Sequence, residues 1–166
     1  MKKLILMLML CAPMAMSAQK FGHVDAQSVM QNLPEFMKVR GELEAQAKQY
    51  DNDLKLMQDE IQKKVDDYEK TKSTMNATKQ QETEASIQEL LQKFQQAQQD
   101  NQQAFQKAQQ EKMQPIMTKV MTAIKNVGKA GGYVYIMDNA SGIPYISDTL
   151  SKDVTAEVKA EIAKMK

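Results

Sequence analysis

Apolar positions recur alternately four and three residues apart over most of the chain. Between Glu35 and about Lys72, Leu43, Ala47, Tyr50, Leu54, Met57 and Ile61 keep this spacing, and Val65, Tyr68 and Met75 continue it after one wider step. Such a narrow seam predicts a helix of coiled-coil type with one stutter-like irregularity. Gly41 is the single glycine in the stretch, and proline is absent from it. Away from the seam, Glu44/Lys48, Asp51/Lys55, Asp59/Lys63, Glu60/Lys64 and Asp66/Lys70 set the acid four residues before the base. Each such pair supports a helix by about 0.2–0.5 kcal/mol, and their number makes a long solvated helix credible.

The polar stretch "TKSTMNATKQQ" then predicts a tight reversal, with Thr78 and Gln81 spaced as a capping box for a second helix. Ile87, Leu90, Phe94, Ala97, Asn101, Ala104 and Ala108 give that helix a matching seam. Its middle is rich in glutamine. Because the seam period survives through it, the tract reads as a wet helix face and not as a disordered, aggregation-prone segment. Pro34 lies 41 residues before Met75 and Pro115 lies 40 after it, so folding the chain back at Met75 brings the two prolines level. Two helices are expected to run side by side between these points for about 40 residues, roughly 60 Å at 1.5 Å per residue.

Beyond Pro115 the stripe Ile116, Val120, Ile124 and Val127 is fuller, and Lys119, Lys125 and Lys129 suit the negative end of a helix dipole. Gly128 fits the reversal at its end. Met113, Met117 and Met121 form a helical stripe that reads as packing. Three short strands are expected: "KFGHVD" near the start, and "YVYIM" and "IPYIS" joined as a hairpin by "NASG", with Pro144 confining the last to an edge or to a place where its missing N–H is harmless. Thr155 can cap a final short helix from about Ala156, with Glu157 in its first turn and Lys164 and Lys166 in its last.

Along "YVYIM", Tyr133, Tyr135 and Met137 should point one way and Val134 and Ile136 the other, so neither face is plainly solvent-facing. The chain's own helical segments, around 26–33 and 116–127, can cover one face. The other face and the open edges would be marginal alone. Further copies of the same body, related by a closed rotation, are the economical cover. Phe21, Val24, Tyr133, Val134, Tyr135 and Ile136 are the residues expected to make these subunit contacts. The fold class that results is α+β and mostly helical, a long antiparallel coiled-coil hairpin arm (35–114) projecting from a small β-rich trimerisation body (19–34 and 115–166).

The first eighteen residues stand apart. "MKK" is a charged start, "LILMLML" an apolar core and "CAPMAMSA" a small-residue exit, the pattern of a secretory signal cleaved after Ala18. The apolar run is short for a stable membrane span, and Leu10 disfavours lipidation at Cys11. Cleavage leaves 20 basic and 21 acidic side chains, a net charge of −1. A chain so near neutral has no net drive toward phosphate, which argues against nucleic acid as a partner. The lone cysteine leaves with the signal, removing any disulfide or thiol nucleophile. One histidine, His23, remains, read as a surface or hydrogen-bonded residue and not as an acid, base or metal ligand. "GKAGG" lacks the Lys-Ser/Thr and helix of a phosphate loop. No enzyme, cofactor or metal site is expected.

The order of these pieces resembles a known family. "KFGHVDAQSVMQNLPEF", a strand, a helix and then Pro-Glu opening a long arm, is similar to the N-terminal signature of the OmpH/Skp family of periplasmic chaperones. "DVTAEV" resembles that family's Asp-aliphatic-Thr entry to its last helix. The resemblance implies a homotrimer whose three arms enclose a cavity and hold unfolded outer-membrane proteins without ATP, in the periplasm. This chain departs from several markedly basic members in being near neutral. Stable membrane insertion is not implied, and peripheral contact with lipid stays open. Holding varied clients reversibly asks for several weak contacts in one cavity and for adaptable thioether side chains. Met57, Tyr68, Met75 and Phe94 are the arm residues nominated for it, each with a competing role in the helix seam. The alternative function is a structural or adaptor hairpin that docks on one envelope partner. Such an arm should carry a compact anchor patch at its tip, where "KSTMNATK" offers only Met75.

Overall fold

The computed structural model describes residues 19–165, so the readings of the signal segment, of Cys11 and of Lys166 fall outside the described residues. In chain order the elements are β1 (Lys20–Val24), α1 (Ala26–Gln31), α2 (Pro34–Thr71), a 3-10 turn (Lys72–Thr74), α3 (Ala77–Gly131), β2 (Tyr133–Asp138), β3 (Ser151–Asp153) and α4 (Thr155–Lys164). Residues 30–119 form one compact unit, and residues 19–29 with 120–165 form another.

The first unit is the helical hairpin. Pro34 occupies the first turn of α2, where its missing N–H costs nothing. The α2 seam runs as its spacing predicts: Leu43 and Tyr68 are buried, and Ala47, Tyr50, Leu54, Met57, Ile61 and Val65 are half-buried. On α3, Ile87, Leu90, Phe94, Ala97, Asn101 and Ala108 are also half-buried, but Ala104 is exposed and Phe105 takes its place. An α-helix drifts against a strict 3.5-residue repeat, and at this point the drift favours the side chain with more apolar area to bury. Two ion pairs record the register across the hairpin. Lys119 Nζ lies 2.7 Å from Glu35 Oε1, and Lys112 Nζ lies 2.6 Å from Glu42 Oε2, one heptad along both helices.

The turn differs from the expected capping box. Asn76 Oδ1 accepts the N–H of Lys79 at 2.8 Å, so Asn76, not Thr78, caps α3, and the Gln80 amide donates back to the carbonyls of Lys72 and Met75. Asn at this position satisfies an orphan N–H at least as well as Thr. None of the five predicted acid-before-base pairs closes among the described residues. The i,i+4 pairs that form are Glu89–Lys93 at 2.7 Å, Lys38–Glu42 at 4.0 Å and Lys107–Glu111 at 3.9 Å. Exposed pairs gain too little to hold long side chains in one geometry. Pro115 lies inside α3 and does not end it.

The second unit is a three-stranded sheet with its helices. Its order is β2–β1–β3, and both pairings are parallel. This corrects the expected hairpin: "IPYIS" forms no strand, and the third strand is Ser151–Asp153, on the far side of β1. Pro144 has no N–H to give a ladder, Gly142 turns the chain at φ +70, and a parallel partner needs a longer connection than a hairpin turn. The helix also ends later than expected. It passes through Gly128 to Gly131, and the reversal falls at Gly132, with φ +66. Val24, Val29, Val120, Ala123, Val154, Val158 and Ile162 make the core.

Entry to α4 depends on a local network. The N–H of Val154 donates to the His23 carbonyl at 2.9 Å, and the N–H of Asp25 donates to Thr155 Oγ1 at 3.0 Å. Asp153 Oδ1 accepts the N–H of Thr155 at 2.8 Å. Thr155 is therefore the first residue of the helix and not its cap: its hydroxyl ties the helix to the end of β1. Hydrogen bonding from the Thr155 side chain, and then from its backbone N–H, holds the Asp153 carboxyl below its ordinary value of 3.8.

Candidate functional site

The sheet presents two different faces. In the parallel register Phe21 lies beside Tyr135 and His23 beside Met137, with Ser151 and Asp153 across β1. The Phe21 and Tyr135 rings pack with centroids 4.9 Å apart. His23 Nδ1 and Ser151 Oγ are 2.9 Å apart, which gives the histidine the hydrogen-bond partner expected of it. On the opposite face Gly22 and Val24 are buried.

A bulge alters the expected alternation along β2. The register slips between Lys20, which meets Tyr133, and Phe21, which meets Tyr135, leaving Val134 without a β1 partner and 56% exposed. A Cβ on Gly22 would lie 3.2 Å from both Ile136 and the Tyr133 ring. Tyr133 therefore shares the helix-covered face with Ile136, and not the Phe21 face with Tyr135 and Met137.

The Phe21 face opens on a groove of about 160 Å³ bordered by Tyr135, Met137, Tyr145 and Leu150. Tyr145 and Leu150 are 78% and 76% exposed, and Tyr135 and Met137 are exposed beside them. Since β1 is central, β2 and β3 each keep an unpaired edge within the chain. Of the six residues nominated for subunit contacts, Val134 and Tyr135 are exposed, Phe21, Tyr133 and Ile136 are half-buried, and Val24 is enclosed by its own chain.

In the hairpin, Tyr68 is buried and its hydroxyl donates to the Glu84 carboxylate on α3. That bond and the adjacent negative charge push the phenol up to about 12. Lys72 Nζ stands 5.3 Å from the ring centroid, within cation–π reach. Tyr68 and Met75 border a cavity of about 540 Å³ near the tip, rimmed by Glu60, Lys63 and Lys70. Met57 and Phe94 lie half-buried in the seam, away from that cavity.

A family model described as outer membrane protein (OmpH-like) matches residues 20–162. The chain belongs to the OmpH-like family. It is 29% identical over 155 residues to the chaperone protein Skp of Yersinia enterocolitica, covering 93% of each chain. It is 37% identical over 146 residues to the chaperone protein Skp of Yersinia pseudotuberculosis, covering 88% of this chain and 87% of that one. The fold is similar to a crystal structure from Caulobacter crescentus CB15 described as a candidate outer membrane chaperone (OmpH-like). That match has a TM-score of 0.74 at 14% identity and covers 87% of this chain and 83% of that one.

Exposed apolar residues of this OmpH-like chain that the sequence reading missed include Leu56 and Leu91 and several methionines. Met117 and Met121 are 46% and 68% exposed, which overturns their reading as packing; only Met113 of that stripe is half-buried. Met37 is 60% exposed, and the register set by Glu35–Lys119 and Glu42–Lys112 places it level with Met117. The seam logic asks only which residues face the partner helix, so apolar residues pointing outward carry no signal in it. Among the described residues no helix is long and apolar enough to cross a membrane.

Proposed function

We propose that this chain is a periplasmic, ATP-independent holdase. Residues 1–18 direct export, residues 19–34 and 115–166 assemble as the body of a homotrimer, and residues 35–114 form the arm. Three arms surround an unfolded outer-membrane protein and keep it from aggregating, with no catalytic step, cofactor or nucleic-acid partner. Membership in the OmpH-like family and the named chaperone relatives support this reading.

One structural observation carries the assembly. The three-stranded sheet leaves both edges unpaired, Tyr135 and Met137 of β2 lie exposed with Tyr145 and Leu150 of the segment that follows it around one apolar groove, and Val134 is exposed at the bulge outside that groove. Apolar patches of this kind mark contact sites in soluble proteins. Phe21, Tyr133 and Ile136 support the patch from half-buried positions, and Val24 acts from the chain's own core. Met75 at the tip cavity, with Met37 and Met117 lower on the hairpin, offers soft apolar contacts to clients, while Tyr68, buried and bonded to Glu84, serves clients only through the part of its ring that borders that cavity. Met57 and Phe94 serve clients only where the seam exposes them.

Sedimentation of the processed protein should give three chains, and Val134→Asp with Tyr135→Asp should dissociate them. A stable folded monomer of the wild type would remove the enclosed cavity. Dilution of a urea-unfolded outer-membrane β-barrel, without nucleotide, should show light scattering suppressed at equimolar trimer. Unchanged scattering would defeat the holdase reading.

A further inference from the structure

The glutamine tract of α3 has a geometry that a general wet face does not require. Residues 88–110 contain eleven glutamines, and all are exposed. Relative to the seam through Ile87, Leu90, Phe94, Ala97, Asn101 and Ala108, three positions of each heptad point directly away from α2. In this stretch every one of them is glutamine except Glu89. Gln88, Gln92, Gln95, Gln99, Gln102 and Gln106 alone make an unbroken outer ridge at the seam's own four-three spacing.

The charges that remain offset one another or lie to the side. Glu89 pairs with Lys93 at 2.7 Å, Lys107 with Glu111 at 3.9 Å, and Asp100 accepts the Gln96 amide at 2.8 Å. The other glutamine amides of the tract have no hydrogen-bond partner among the described residues. The facing stretch of α2 is different. Residues 44–64 contain nine charged side chains and four glutamines, and the outer face there mixes Lys48, Lys55, Asp59 and Lys63 with Gln49, Asn52, Leu56 and Gln62. Solubility alone is met by mixed charge, as α2 shows in the same hairpin, so it does not account for the amides.

A primary amide carries two donors and an acceptor with two lone pairs. An ordered array of them, on a rigid helix and free of net charge, complements groups that also pair donor with acceptor. An unfolded chain supplies these as its backbone N–H and C=O, whatever its side chains. Each such bond, made in competition with water, is weak. Many in parallel along one chain retain it while each releases quickly.

We propose that the glutamine face of α3 is a docking surface for the extended backbone of an unfolded polypeptide, so that the protein holds clients by their main chain as well as by apolar side chains. This deepens the holdase reading and rests on it. Two full-length variants remove the amides in different ways. One replaces Gln88, Gln92, Gln95, Gln99, Gln102 and Gln106 by alanine, a stronger helix former. The other writes Gln88→Glu/Gln92→Lys, Gln95→Glu/Gln99→Lys and Gln102→Glu/Gln106→Lys, which keeps the face polar and supports the helix.

The probes are a fluorescent, urea-unfolded outer-membrane β-barrel and a β-strand peptide with and without N-methylation at alternate residues. With helical circular dichroism and sedimentation unchanged, both variants should bind the barrel about tenfold or more weakly. Wild type should bind the methylated peptide more weakly than the unmethylated one, and the variants should lose that discrimination. Variants that bind as wild type does, or a wild type blind to methylation, would overturn the assignment and leave the holdase standing. A wild type that binds neither probe would overturn the holdase reading, and this assignment with it.

Discussion

Glu42 Oε2 and Lys112 Nζ meet at 2.6 Å across 70 residues of chain. Glu35 and Lys119 repeat the contact at 2.7 Å one heptad away, and the two pairs together define the pairing of α2 with α3. Both carboxyls are held below their ordinary value of 4.5, chiefly by the hydrogen bond from the facing lysine. Because folding depresses these values, the contribution is complete above about pH 4.5 and is lost as pH falls through the depressed folded values.

The first prediction follows from that sign. Lys112→Glu should lower Tm by about 1–2 °C, given how exposed the pair is, and the exchanged pair Glu42→Lys/Lys112→Glu should restore it. The Tm difference between wild type and Glu35→Gln/Glu42→Gln should close as pH is taken from 7 to 3. Persistence of the full difference at pH 3 would show that the carboxylates act by packing and not by charge.

Tyr68 and Glu84 supply a spectroscopic test. The phenol, ordinarily at 10.0, is raised to about 12 by its bond to the carboxylate. A raised folded value stabilises the hairpin fully below about pH 10, and that stabilisation disappears as pH rises through about 12. In Glu84→Gln the Tyr68 titration, followed by NMR of the ring carbon bearing the hydroxyl, should move down toward 10. An unchanged midpoint would mean that the two side chains do not meet in solution.

Gly131 tolerates no side chain in this packing. A Cβ there would fall 2.3 Å from the Tyr133 ring, while Gly132 beside it needs only its positive φ. Gly131→Ala should therefore destabilise the sheet unit by about 1–3 kcal/mol, and the same substitution made in a Tyr133→Ala background should cost much less relative to Tyr133→Ala alone. Denaturant unfolding measures both; equal stability of Gly131→Ala and wild type would contradict the close approach.

Thr155→Val keeps the shape of the side chain and removes the oxygen that accepts the N–H of Asp25. A partly buried donor left unsatisfied costs about 1–3 kcal/mol, so Thr155→Val should lose that much while Thr155→Ser stays near wild type. Faster amide exchange at Asp25 in the valine variant should accompany the loss.

Much of the hairpin was legible because its information is local. Leu43 to Tyr68 repeat at a spacing that only a helix can put on one side, and the run from Ile87 to Asn101 does the same. Ala104 marked the limit: whether it or Phe105 turns inward depends on accumulated helical drift and on the size of the competing side chains. Asn76 capping α3 in place of Thr78, and the helix passing Gly128 to reverse at Gly132, were choices between chemically adequate neighbours.

Sequence alone settled that two long helices would pair through a thin seam, and that too little β structure remained to enclose itself, since both follow from periodicity and composition along neighbouring residues. Tertiary structure decided the rest. It placed β1 between two parallel partners, drew the third strand from Ser151–Asp153, put Tyr133 on the helix-covered face through the bulge at Val134, and turned Met117 and Met121 outward. Those outcomes depend on groups more than a hundred residues apart competing for the same hydrogen bonds and the same buried space around His23 and Val24, and no pattern of adjacent residues records who wins.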